Sequence, residues 1–484
     1  MRLFLSALCL LLLSPANSFG QDPIQSVLDD FPSRLKWWDS ASDCNECRSG
    51  GCSENGQDGC AGTRSEGCFP AESTSPLKGI SLWEGSSFDI GGSYRVRYHN
   101  EHNMRGAGLT GLDDEYVLHQ VRLWLTGKLN DRLGIRVEMI DASSVGETFA
   151  PRSNEVDRFD LYQAYVDALL VDGEGTLTAR LGRQEFALGV ARLIQAPNWA
   201  NRRRNRDGVR LMWRDPDWDI DAFWTRPVLR NSSNFTKFDN TNQNQQQYGI
   251  YTTYKSLEEQ KLELYWLAFD IDNASGTDGA KYDTIGSRWY GNRDSWLYEV
   301  EGGYQFGRNP DGTVHNAGFV VSGIGKKFED VCWKPEAWLY YDFGSGSSTA
   351  GNGFHYYTPA VHSYLGWMDL FSRQNIQDFN ARIKFKPAET LTFTIWAHYF
   401  LLANDRDIVY TRANRPFAGA TAGTAGDREI GQELDFQLTW QCNKQTQIRV
   451  AYSHFFAGRY YDTTPGVPTN SDADFFYTHF QYTF

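Results

Sequence analysis

Apolar and polar side chains alternate along many short stretches of this chain, which is the pattern of β-strands that present two different faces. In the last stretch, Phe476, Phe480, Tyr482 and Phe484 share one face. The opposite face begins with aromatic side chains and continues with polar ones such as His479. Because a half-buried sheet in a soluble sandwich also alternates, one such strand does not decide the fold.

The number of alternating segments is more informative than any one of them. About eighteen lie between residues 86 and 484, each near the ~10 residues that a tilted transmembrane strand needs. They run near 86–100, 115–129, 132–143, 158–171, 175–186, 207–215, 217–228, 246–256, 260–271, 282–291, 294–307, 313–327, 333–345, 373–386, 389–402, 428–442, 445–457 and 473–484. We therefore predict an all-β fold, an 18-stranded antiparallel transmembrane β-barrel preceded by a short cysteine-rich segment.

The connections between these segments alternate in length. Links after even-numbered segments are short, whereas most links after odd-numbered ones are long and polar, as at 187–206, 346–372 and 403–427. Short periplasmic turns and long outer loops are typical of outer-membrane barrels, and a soluble sandwich has no reason to keep this parity. An even strand count also places both chain termini on the periplasmic side.

Composition supports a barrel over a soluble secreted domain. Aromatic residues make up 15% of the chain, with 16 Trp, 25 Tyr and 30 Phe, while the mean hydropathy is only −0.52. A barrel explains both values, because aromatic girdles face the lipid and polar side chains face a wet lumen. The net charge of −13 argues against nucleic acid as a partner.

The first residues have the features of a secretory signal. Arg2 precedes an apolar run from Leu3 to Leu13, and small residues follow Pro15. The run is too short to span a bilayer, so removal near Gln21 is expected. The predicted organisation is a signal peptide over 1–20, a periplasmic segment over 21–85 and the barrel over 86–484, in the cell outer membrane of a Gram-negative-type envelope.

The face opposite the apolar one supplies candidates for the lumen. They include basic and acidic side chains, and arginine forks suit carboxylates while charged rings set the selectivity of a pore. Structural ion pairs across the barrel wall are the alternative reading. The pore-lining or ligand-binding candidates from the strands are Arg95, Arg97, Arg122, Arg136, Arg180, Arg210, Glu138, Asp167, Glu433 and Asp435.

The loop after the fifth segment concentrates positive charge. Five arginines lie between Arg192 and Arg206, with Trp199 among them. On the surface such a loop can bind anionic lipopolysaccharide, and folded inward it can line a constriction. Arg204 and Arg206 are the best candidates for reaching the lumen.

Three groups of motifs resemble the alginate export family of outer-membrane barrels. The first comprises 182–189 (GRQEFALG), Arg192-Leu193-Ile194, Trp199, Asn201 and 206–211 (RDGVRL). The second comprises 362–369 (HSYLGWMD) and 374–376 (QNI). The third comprises 431–435 (GQELD), 451–458 (AYSHFFAG) and 472–477 (DADFFY), so the resemblance covers the whole predicted barrel.

This resemblance implies eighteen strands, which agrees with the strand count, and an arginine-lined pore with some acidic residues for an anionic uronate polymer. Basic positions that match are Arg95, Arg122, Arg183, Arg206 and Arg210. We expect a porin-like channel for export or diffusion of anionic, uronate-type saccharides or other small charged solutes. Its other expected partners are outer-membrane lipid, lipopolysaccharide and a periplasmic protein.

Cysteines cluster ahead of the barrel, at Cys44, Cys47, Cys52, Cys60 and Cys68. In an exported protein they are disulfide candidates that staple a segment too small for its own core. A metal site is the weaker alternative, because only Cys44 and Cys47 have the spacing of a ligand pair. A further hypothesis pairs Cys332 or Cys442, both in predicted periplasmic turns, with this cluster.

Two other classes of function stay open beside the channel. One is a barrel enzyme acting on lipid or glycan, with Glu299 and Glu301 as a carboxylate pair. The other is a plugged structural or adhesive barrel. Because no G-x-S-x-G nucleophile motif is present, we predict no catalytic residue. Neither a cofactor nor a metal is expected.

Overall fold

The computed structural model describes residues 77–484 except 107, 232–236, 273–278, 349–351, 359–360, 418–419, 422, 425 and 468–470. The predicted signal peptide and the five clustered cysteines lie outside the described residues. Cys332 is exposed in the turn 328–335, and Cys442 is buried in the turn 442–445. The predicted bridge from either of them to the cluster therefore stays a prediction.

The described residues form nineteen strands, of which one is only two residues long. Their bounds are β1 (Ser87–His102), β2 (Asp114–Lys128), β3 (Leu133–Val145), β4 (Asp157–Asp172), β5 (Thr176–Gln184), β6 (Arg206–Arg214), β7 (Trp218–Leu229), β8 (Asn240–Thr241), β9 (Gln245–Tyr254), β10 (Gln260–Ile271), β11 (Lys281–Arg293), β12 (Trp296–Arg308), β13 (Val314–Lys327), β14 (Glu336–Gly344), β15 (Ile376–Ala388), β16 (Leu391–Leu402), β17 (Glu429–Gln441), β18 (Thr446–Ala457) and β19 (Ala473–Thr483). Each of the eighteen predicted strands has its counterpart among them.

The sheet closes on itself. Arg97 of β1 lies opposite Leu118 of β2 on one side and opposite His479 of β19 on the other. The short β8 pairs only with the end of β7, and β7 pairs directly with β9. The eighteen remaining strands therefore form a closed antiparallel ring, as the sequence predicted, and a closed ring leaves no unpaired strand edge in the membrane.

The two faces of the wall differ in polarity as the alternation predicts. On β19, Phe475, Tyr477 and His479 are buried inside the barrel, whereas Tyr482 and the residue that follows the strand, Phe484, are exposed on the outside. Other strands repeat this arrangement, with large apolar side chains exposed outward; they include Leu123, Val137, Leu181, Trp266, Ile285, Val320, Leu339 and Phe379. An apolar outer band of this kind is what lipid requires.

One end of the barrel carries short turns and the other carries long loops. The short turns are 129–132, 173–175, 215–217, 255–259, 294–295, 328–335, 389–390 and 442–445, and β1 begins and β19 ends at this short-turn end. Three long connections determine the interior: L5 (185–205), L14 (345–375) and L16 (403–428). No helix in the described part of the chain is long and apolar enough to cross a membrane.

The hydrophobic core lies inside the ring and is built where the long loops meet the wall. Leu193 and Ile194 of L5 pack in one cluster with Phe354 and Leu365 of L14 and with Phe319 of β13. A second cluster joins L14, L16 and the last strands. Burial of this apolar surface stabilises L5, L14 and L16 against the inner face of the wall.

Candidate anion passage

L5 crosses the interior of the barrel. At one end, Arg95 of β1 donates from Nη1 to the carbonyl oxygen of Asn198 (2.5 Å) and from Nη2 to that of Ala200 (2.9 Å). At the other end, Arg192 donates to Glu299 (2.5 Å) and to Glu301 of β12. Because β8 lies outside the ring, β12 is the eleventh strand from β1 and stands almost opposite to it. The loop is thus tethered to two facing walls.

L14 enters from another side and is held by two carboxylates of β17. Glu433 accepts the backbone N–H of Met368 (2.9 Å), and Asp435 accepts that of Trp367 (3.3 Å). Gly366 precedes these contacts with φ of +87°, and a Cβ on it would collide with the Glu433 carboxylate. A glycine is therefore required where the loop passes this wall.

The two loops meet at Trp199. The His362 ring of L14 stacks on the Trp199 ring of L5 with centroids 3.8 Å apart. The guanidinium of Arg97 lies 4.0 Å from the centroid of the same indole, a cation–π contact. Thr358 adds a backbone link, since its N–H donates to the carbonyl of Leu193 at 3.3 Å. The interior is consequently narrowed by one joined layer of side chains.

Next to this layer lies a cavity of about 950 Å³, which we call the basic cavity. Its volume is in the range of small-molecule sites, roughly 300–1,000 Å³. Seven arginines line it, from three strands or their loops and from L5 and L16: Arg97, Arg152, Arg202, Arg204, Arg412, Arg415 and Arg449. Asp369 is the carboxylate among its lining residues.

Some of these arginines are neutralised by carboxylates. Arg152 binds Glu101 at 2.6 Å, and Arg202 binds Asp157 at 3.2 Å and Asp239 at 2.8 Å. These pairs leave little net positive charge at their positions, so they hold the loops rather than attract a solute.

Four of the seven arginines have no carboxylate within 4 Å among the described residues: Arg97, Arg204, Arg415 and Arg449. Arg415 is exposed, whereas Arg97, Arg204 and Arg449 each have at least one buried guanidinium nitrogen that lacks a hydrogen-bond partner. Burial, and then the positive charges of Arg202 and Arg412, lower the pKa of Arg204 to about 10. A buried cation without a partner is costly, and an entering anion relieves that cost.

Most predicted arginines of the early strands form ion pairs on the wall itself. Arg122 and Arg136 share Glu138, and Arg210 binds Asp221. The two bidentate pairs are Arg180 with Asp167 (2.7 and 2.8 Å) and Arg183 with Asp207 (2.9 and 3.1 Å). The structure therefore places these residues in ion pairs with wall carboxylates, and their predicted role in the pore stays a prediction.

The remaining predicted residues lie nearer the loops. Arg95, Glu433 and Asp435 anchor L5 and L14, and Arg97 and Arg204 line the basic cavity. Arg206 is buried, with Nη2 at 3.4 Å from the hydroxyl of Thr358.

Sequence reasoning missed several members of the basic cavity. Arg449 could have been found, because Ile448 and Val450 flank it on the outward face of β18 and its own parity points inward. Arg152 and Arg412 lie in loops without periodicity, and nothing local indicates where they point. Loop residues such as Arg152 and Arg412 can be assigned to the cavity only when the path of the loop is known.

Two acidic clusters already hold cations of the chain. Asp157, Asp160 and Asp239 lie together, and Arg202 bridges the first and the last of them. Glu299 and Glu301, the carboxylate pair considered for glycan hydrolysis, both bind Arg192.

A closed eighteen-stranded ring with an apolar outer face and an arginine-lined interior defines an outer-membrane β-barrel of the porin-like channel class. More specifically, the family model named Alginate export matches residues 86–473, and the chain belongs to this family. This span covers the predicted barrel from its first residue to the start of the last strand, β19. The family resemblance read from the motifs is thereby confirmed.

Solved outer-membrane proteins share the fold. OpdO of Pseudomonas aeruginosa is 11% identical with a TM-score of 0.56, over 82% of this chain and 97% of that one. OccAB1 of Acinetobacter baumannii is 12% identical with a TM-score of 0.56, over 82% and 96%. OpdK of Pseudomonas aeruginosa, solved with vanillate, is 11% identical with a TM-score of 0.54, over 82% and 98%. Among curated proteins, no sequence matches this chain significantly.

Proposed function

We propose that this protein is an outer-membrane channel that passes anionic, uronate-type saccharides or other small charged solutes by export or diffusion. The observation that carries the proposal is the set of three arginines, Arg97, Arg204 and Arg449, around one cavity of about 950 Å³. Each has a buried guanidinium nitrogen without a hydrogen-bond partner and no carboxylate within 4 Å among the described residues. Such a group of cations attracts anions and repels cations in a confined, poorly solvated passage.

The comparisons support this choice of solute. The family carries the name of an anionic polysaccharide, and one neighbour in fold was solved with vanillate, a small carboxylate. Guanidinium groups bind carboxylates in two-point geometry, which suits a uronate or another organic acid better than a neutral sugar.

By the rule that turns are short on the periplasmic side, we assign the short-turn end, with both ends of the barrel chain, to the periplasm. The long loops then face outward, where lipopolysaccharide is the expected neighbour. A periplasmic partner would approach the short-turn end.

A plugged barrel is the second candidate. The observation that favours it is the apolar cluster of L5 and L14, which fills part of the interior and is tied to both walls. A plugged barrel gives no unitary currents in a planar bilayer, whereas a channel does.

The test is the ion selectivity of the purified protein in a planar bilayer under a potassium chloride gradient. We expect discrete channels whose reversal potential shows a preference for chloride, and a clear loss of that preference in Arg204→Gln/Arg449→Gln. Arg293→Gln is the matched control, because Arg293 is an exposed arginine at the short-turn end. Cation preference in the unmodified protein would refute the proposal.

A further inference from the structure

A second cavity adjoins the basic cavity at L14. It has a volume of about 240 Å³ and is bounded by L5, L14 and the wall from β12 to β16. Ser363 of L14 is exposed and is the residue that the described linings of the two cavities share. We call this second space the Arg382 cavity.

The charges around the Arg382 cavity cancel except for one. Arg192 is bound to Glu299, and the carboxylate of Asp342 is bound by Arg373 at 2.7 Å. Of the two arginines in the lining, Arg382 is the one without a carboxylate within 4 Å in the described part of the chain. Its Nε is buried without a hydrogen-bond partner.

The rest of the lining is aromatic and amide. Trp396 is buried, lies 5.4 Å from the Arg382 guanidinium and donates from its indole N–H to Asn380 at 2.9 Å. Tyr340 and Tyr364 complete the wall. Aromatic surface beside one guanidinium is a combination that suits a ring bearing a carboxylate.

The size of the cavity limits what can occupy it. Its volume is below the roughly 300 Å³ at which sites for larger ligands begin, so it suits a single six-membered ring rather than a chain. We propose that the Arg382 cavity is a second solute site, beside the basic cavity, for a carboxylate on one six-membered ring, with Arg382 as its cation. This inference rests on the proposed function, because it takes the anion to be the transported solute.

The experiment uses Ser363→Cys in the full-length protein, with an anionic methanethiosulfonate reagent and single-channel current as the readout. The reagent should reduce the current of Ser363→Cys and leave the parent protein unchanged, which controls for the natural cysteines. Glucuronate and benzoate represent the saccharide and aromatic sources of the same chemistry, and glucose is the neutral control. We expect one or both acids, but not glucose, to slow the modification.

Adding Arg382→Gln should raise the acid concentration needed for protection about tenfold, as expected when one charge-assisted hydrogen bond is lost. Lys386→Gln is the matched control, because Lys386 is an exposed cation on the same strand, β15, outside the cavity. Equal protection by glucose, or protection that survives Arg382→Gln unchanged, would overturn the inference. A cation preference of the unmodified channel would instead refute the proposed function, so the two failures are distinguishable.

Discussion

The tether between Arg192 and β12 should control how wide the channel is. Arg192 is 2% exposed and is held by Glu299 and Glu301, so Arg192→Met removes one partner of a buried ion-pair cluster. Glu299 keeps Arg288 at 3.0 Å, and Glu301 keeps the hydroxyl of Tyr265 at 3.1 Å. The strands stay hydrogen-bonded to their neighbours, and the loss therefore falls on the loop.

Breaking a buried pair in this way costs about 3–5 kcal/mol. Since each 1.4 kcal/mol changes an equilibrium tenfold, 3 kcal/mol shifts the balance between docked and released L5 by a factor of more than about a hundred. We expect Arg192→Met to give a larger unitary conductance, with more frequent transitions between levels, because L5 then loses its ion pairs with β12, one of the two facing walls that hold it.

Unitary conductance in planar bilayers measures this effect, and heat-modifiable migration on gels checks that the barrel is folded. Arg180→Met is the matched control, since Arg180 of β5 pairs with Asp167 of the neighbouring wall strand β4 rather than with a loop residue. The triple variant Arg192→Met/Glu299→Gln/Glu301→Gln removes the stranded charges as well and should also conduct more. Conductance equal to that of the unmodified protein in both variants would refute the tether.

Two further predictions concern L14 and L5. Gly366→Ala forces a side chain at φ of +87° against Glu433, so L14 should detach and trypsin should cleave it faster, while Gly423→Ala, which meets open space in L16, leaves that rate unchanged. A cleavage rate equal to the parent's would contradict this account of L14. The pKa of Arg204 is lowered to about 10, so its positive charge is present below that pH and is lost above it. Anion preference should fall as pH rises through about 10, and by less in Arg204→Gln; an identical fall in both proteins would show that other groups cause it.

The strands were predictable and the passage was not, for a physical reason. Each strand of the wall faces lipid on one side and the interior on the other, so its side chains alternate and its bounds can be read from the sequence. The path of a loop depends on contacts between distant residues, such as Arg192 with Glu301, which are 109 positions apart. Arg204, which lines the basic cavity, was predicted to turn inward only because its loop combines five arginines with Trp199.

The sequence also did not show which arginines lack a carboxylate partner. Arg180 and Arg97 both have inward parity, but Asp167 lies opposite the first in the register of β4 and β5. Arg97 meets Trp199 instead, through a loop about a hundred positions away. Parity shows that a side chain enters the barrel, and only the tertiary contacts show whether its charge is cancelled.

The position of the cations on the ring has a consequence for biogenesis. Arg97 belongs to the first strand and Arg449 to the strand before last, and His479 lies between them on the strand that meets the first. Arg97 and Arg449 therefore come close to each other only when β19 pairs with β1 and closes the barrel. In an assembly intermediate with an open seam Arg97 and Arg449 are not brought together, so we expect anion selectivity only after the seam has closed.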